Sequence, residues 1–154
     1  VARNLYHYTD STAAAEIIRD GVIRASTMRV YRDLIPDVSR SIEIGPVVWL
    51  TINYILEGTT LFKLKRQNIE PVGGLVRFVT GYICDVGLAD YCDRHKLDPE
   101  WFTPMVQTGK LAGSDYTTWR LLDRDIPKDE WLRAEKLKGI SDKGKSIWEP
   151  IHVE

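Results

Sequence analysis

The side chains best placed to do chemistry in this sequence begin near its start. Within LYHYT, residues 5–9, His7 stands between Tyr6 and Tyr8 in a stretch otherwise suited to a core strand. Near neutral pH an imidazole can donate a hydrogen bond from one ring nitrogen and accept at the other. His7 is therefore either a packed residue satisfied by one hydrogen bond or the floor of a site. Toward the other end stand Glu130, Glu135 and Glu149. Trp148 and Pro150 suggest a partly buried setting for Glu149, where a carboxylate charge is felt most strongly. Solvated surface is the alternative for each of these acids. Arg24, Arg77 and Arg120 carry guanidinium forks that match phosphate oxygens two at a time.

Several other chemistries are not expected. Cys84 and Cys92 make no disulfide framework, and His7, His95 and His152 are too scattered to read as a zinc site. There is no Walker-type loop and no dinucleotide-fold glycine fingerprint, and Gly73-Gly74 reads as the start of a strand. No apolar run approaches the roughly 20 residues of a membrane span. No secretory signal is read, so a reducing cytoplasm is the expected location, that of a target cell included. With a net charge of −1, no overall field draws the chain to nucleic acid or an anionic membrane. Local basic runs remain at Lys63-Lys65-Arg66 and from Lys136 to Lys145, readable as solvated faces or as phosphate contacts.

The elements that must position these groups follow from the pattern. At 154 residues, 44% hydrophobic and 28% charged, the chain reads as one globular domain over 1–154. Residues 5–9 read as a strand, and Asp10, Ser11 and Thr12 are competent caps for a helix over 12–20 that Gly21 ends. Residues 27–45, polar with Pro36 near the middle, read as a mobile loop crossing the front of a site. GPVVWLT (45–51) and GGLVRFVTG (73–81) read as strands, with Val76, Phe78 and Thr80 on one face of the second. Helices are expected over VGLADYCDRHK and after Asp98-Pro99, and strands over 117–126, 130–137 and 146–153. Strand, helix, loop, strands, helices, strands is an α+β order with a mixed or antiparallel sheet.

LYHYT, the short helix, the GVI turn and the VVWLT strand together resemble the ADP-ribosyltransferase fold superfamily. There the first strand carries a His in patterns such as YHxT, and a second strand ends in a pattern like [VI]-[VI]-Y-[FL]-[TA]. The resemblance covers the first third of the chain by motif and the rest by strand order. It implies a split sheet with short peripheral helices, and NAD as the substrate. It also implies transfer of ADP-ribose to a macromolecular acceptor, protein or nucleic acid, as in bacterial or phage toxins and effectors.

In such enzymes, cleavage of the nicotinamide–ribose bond builds positive charge on the ribose, as glycoside cleavage does. The resemblance assigns His7 to a ribose hydroxyl, as both a binding and a catalytic residue, with Thr9 on the same strand face. The Tyr8 backbone would clamp the nicotinamide amide. Trp49 stands where the family has a stacking Tyr. Thr51 is a candidate ribose contact and Tyr54 a second ring; strand end and helix-start packing are their alternative readings. The family's acid should fall between Thr117 and Glu149. Before the IP turn of TTWRLLDRDIP, where the nucleic-acid-modifying branch carries it, this chain has Thr118, Trp119 and Arg120. Glu149 is the preferred substitute, with Glu130 and Glu135 as alternatives. An NAD-dependent RNA 2′-phosphotransferase or a nucleotide-binding module without catalysis are the rival functions.

Overall fold

In a computed structural model, which describes residues 3–54, 56 and 58–153, the first strand and helix are joined by one side chain. Asp10 ends β1 (Leu5–Asp10) and caps α1 (Ser11–Asp20), its carboxylate accepting from the Ala13 N–H at 2.8 Å. Gly21, at φ 71, closes the helix by donating its N–H to the Ile17 carbonyl. α1 thus starts one residue before the expected bound. It lays Ala14, Ile17 and Ile18 on a core of Leu5, Val48, Leu50, Val76, Phe78 and Ala134. β2 (Val22–Ile23) then pairs with β7 (Ile126–Pro127) in a small separate sheet.

The expected loop over 27–45 is instead mostly strand. β3 (Ser26–Tyr31) and β4 (Ser41–Thr51) pair around a 3-10 turn at Val38–Arg40. Met28 and Val30 alternate with exposed Thr27 and Arg29, so the period of two was present but masked by polar residues and Pro36. β4 also runs straight through Gly45, where a strand start had been expected. Gly45 lies at φ 105, and a Cβ there would come within 2.9 Å of the Ser26 carbonyl oxygen. Only glycine lets the two backbones approach in this way.

The main sheet runs β3-β4-β1-β5-β8-β9, with β5 at Leu75–Thr80, β8 at Trp131–Ile140 and β9 at Ser146–Ile151. β6 (Trp119–Leu122) pairs with β4 off this path. Every register pair among the described strands is antiparallel, which removes the mixed option. β5 is buried along its whole length, as a strand covered on both faces must be. Helices α4 (Leu88–Arg94) and α5 (Thr103–Leu111) pack a second core, including Tyr91 and Phe102, against Val30, Ile44 and Leu121. Asp98-Pro99 opens a 3-10 turn, Pro99–Phe102, before α5 begins. A third core joins Leu64 of α2 (Gly58–Arg66) to Leu75 and Leu137, next to a short turn α3 (Pro71–Gly74). The sequence pattern had not called for α2. Among the described residues, no helix is long and apolar enough to cross a membrane.

Candidate functional site

β1 and β4 meet at a single register pair among the described residues, Tyr6 with Thr51. Both strands continue past it, β1 to Asp10 and β4 back to Ser41, without pairing again. The sheet is therefore parted on the Asp10 side of Tyr6. In an unbroken antiparallel ladder, the Trp49 carbonyl would accept from a backbone N–H of β1. Here it accepts from Nδ1 of the His7 imidazole at 2.9 Å. The side chain stands in for the missing ladder at this point.

This bond fixes the His7 tautomer. A carbonyl can only accept, so Nδ1 carries the proton, and Nε2 of the neutral ring carries a lone pair. Nε2 has no partner among the described residues, and the residue is half-buried. The atoms packed round the ring push its pKa below the ordinary 6.5. The Trp49 hydrogen bond opposes that shift, and the charge of Lys63 on α2 adds to it. The ring is therefore poised to accept from a hydroxyl.

The other expected contacts are arranged differently. His7 and Trp49 are joined through the Trp49 carbonyl, while the indole packs edge-on against Trp119 at 6.0 Å and 80°. That Trp119 ring is backed by Gly109, whose added Cβ would meet it at 3.3 Å. The Trp49 Nε1 is buried and makes no hydrogen bond among the described residues. Tyr8 is in register with Arg77 and lies 6.1 Å from the Trp148 ring. Thr9 is half-buried, two residues past His7. Thr51 accepts from the Asn53 N–H at 3.0 Å and donates to the Thr118 hydroxyl at 3.2 Å, closing the end of β4. The Tyr54 ring is exposed, and its carbonyl accepts from Arg77 at 3.2 Å.

The arginines and acids are mostly engaged with the protein itself. Arg77 donates to Glu135 at 2.9 Å and lies over the rings of Trp148 and Tyr6, at 4.0 and 5.0 Å. Arg120 donates to the Thr117 and Trp119 carbonyls, and Arg24 is exposed. Glu135 also meets Arg133 at 3.3 Å, and Glu130 holds Arg124 with both oxygens. Glu149 is in register with Lys136, Lys136 with Val76, and Val76 with Thr9. Glu149 thus stands three strands from β1, or about 14 Å at the usual strand spacing. The structure does not bring it to His7. Burial pushes the Cys84 and Cys92 thiols up, so neither is an activated nucleophile.

Two surface cavities, of about 490 and 500 Å3, adjoin at Lys128 and His152. His7, Trp49 and Glu149 line neither. The bonded geometry of the parted strands, and not these shallow hollows, marks the candidate site. Sequence reasoning did not connect the Lys63 charge with His7, because no periodicity announced α2. Comparison with family models, with curated proteins and with solved structures finds no match.

Proposed function

We propose that the parted strands hold NAD and that the chain is an NAD-dependent ADP-ribosyltransferase acting on a macromolecular acceptor in a cytoplasm. The observation that carries this reading is the anchored imidazole in the gap between β1 and β4, its Nε2 free to accept. A ribose hydroxyl is a donor of the right kind for it. Holding the ribose end of the scissile bond against a rigid sheet would favour its cleavage.

A second reading is a nucleotide-binding module without transfer, and the placement of the acids favours it. Glu130 and Glu135 are engaged by arginines, and Glu149 lies far along the sheet. The RNA 2′-phosphotransferase alternative needs an RNA-binding face as well as the NAD site.

The test is incubation with labelled NAD and a bacterial lysate, for wild type, His7→Ala, Glu149→Gln and Glu135→Gln. Transferase function predicts label on nuclease- or protease-sensitive material, lost in His7→Ala. Loss in Glu149→Gln or Glu135→Gln identifies the working carboxylate. NAD binding without transfer or hydrolysis selects the binding module. Absence of NAD binding rejects both.

A further inference from the structure

The two basic runs, far apart in the sequence, lie toward the same end of the main sheet. Leu64 lies between Lys63 and Lys65 on α2, and Leu137 between Lys136 and Lys138 on β8. Both leucines are buried in one cluster with Leu75. α2, with Lys63 and Lys65, therefore lies toward the base of the β8–β9 hairpin, whose turn carries Lys143 and Lys145, while Lys136, next to Leu137 on the strand, turns to the other sheet face with Glu149. With Arg66, α2 and residues 136–145 carry seven cationic side chains against one acid, Asp142, in a chain whose net charge is −1. Glu149 offsets Lys136 at 3.8 Å, and Glu70 stands exposed just beyond α2. A positive excess remains at this end of the molecule.

The position of this pole matters as much as its sign. Asp10 is in register with Leu75, and Leu137 follows Lys136, the partner of Val76. The hairpin therefore projects beyond the same end of the sheet toward which β1 and β4 part. Lys63 ties the two together, since its charge is felt at His7.

We propose that the α2 and β8–β9 pole binds the phosphate backbone of a nucleic acid and leads it to the parted strands, so that the acceptor is a nucleic acid. The acceptor role rests on the transferase reading above; the binding itself does not. Mobile lysines that hold phosphates as point charges carry no sequence preference. Binding through about three of them should fall about 20-fold when salt rises from about 50 to 200 mM for a single strand.

The experiment is fluorescence anisotropy of a fluorescein-labelled single-stranded oligonucleotide, with the duplex as a second arm, at several salt concentrations. Wild type should bind with that salt dependence. Lys63→Glu/Lys65→Glu and Lys143→Glu/Lys145→Glu should each weaken binding at least about tenfold and flatten the salt slope. Arg19→Glu/Lys128→Glu, beside the cavities, should bind as wild type does. Circular dichroism confirms that each variant is folded. Absence of binding at low salt overturns the proposal, as does equal loss in the control pair or equal competition by polyglutamate. Oligonucleotide binding by a wild type that binds no NAD would remove the transferase reading and leave the pole standing. A Lys143→Glu/Lys145→Glu chain that keeps NAD hydrolysis but loses label on nucleic acid would support both.

Discussion

β1 is treated differently by its two neighbours. Toward β5, every residue from Leu5 to Asp10 has a register partner; toward β4, Tyr6 alone does. On the complete side the ladder satisfies the backbone, and the side chains are free to build core. Phe78 packs on Trp131 at 5.0 Å, and Arg77 with Glu135 forms a nearly enclosed ion pair under Trp148 and Tyr6. On the parted side a carbonyl is left over, and a titratable side chain supplies its donor. A sheet becomes chemically useful where its own hydrogen bonding stops. The zipped side gives β1 a rigid backing, and the parted side gives it something to bind with.

That contrast can be broken most severely on the zipped side. Arg77→Ala leaves Glu135 buried with Arg133 as its remaining cationic partner among the described residues and frees the Tyr54 carbonyl. Urea unfolding should show a loss of about 3–5 kcal/mol, the usual cost of removing one partner of a buried pair. On the parted side, His7→Ala removes the donor to the Trp49 carbonyl and should cost about 1–2 kcal/mol. It should also abolish NAD binding, followed by tryptophan fluorescence. If Arg77→Ala spares folding while His7→Ala collapses it, the roles of the two sides are reversed.

A smaller effect sharpens the description of His7. Its folded pKa lies below the ordinary 6.5, so the unfolded chain binds the extra proton first as pH falls. Stability should therefore be level above about pH 7, then decline as pH falls below 6.5 toward the folded pKa. Thermal melts of wild type and His7→Gln across this range should differ in slope, with the variant flatter. Parallel slopes would show that the ring is not held neutral by the fold. Smallest of all is Arg124→Ala, away from both sides. The Arg124 guanidinium holds the Glu130 carboxyl below its usual range, but the pair is solvent-exposed. A change in stability under about 1 kcal/mol is expected.

Much of the fold was legible because local patterns carried it. Asp10 and Gly21 marked the ends of α1, and the alternation in VRFVT identified both faces of β5. The β3 strand was missed although Met28 and Val30 alternate, because neighbouring polar residues and Pro36 diluted the signal. α2 was missed because its stripe is short and its lysines are dense. At the site, His7 stood out in the sequence as an imidazole within a strand, but the carbonyl that it binds, that of Trp49, was not in the pattern. The preference for Glu149 rested on the residues beside it in sequence. Its register with Lys136 on an outer strand is a pairing that no local window contains.

By itself, the sequence determined which residues could be strand or helix, where α1 starts and stops, and that His7 would sit in a strand beside aromatic neighbours. Those outcomes depend on backbone preference and on side-chain period, which act over a few residues. Only the tertiary structure decided that β1 would be zipped to β5 and parted from β4. It alone gave the Trp49 carbonyl to His7, gave Glu135 to Arg77, and set α2 against β8 through Leu64 and Leu137. These are pairings between residues distant in the chain, set by which strands lie side by side and in what register. A shift of one residue along a strand would turn its side chains, Glu135 of β8 among them, to the opposite face.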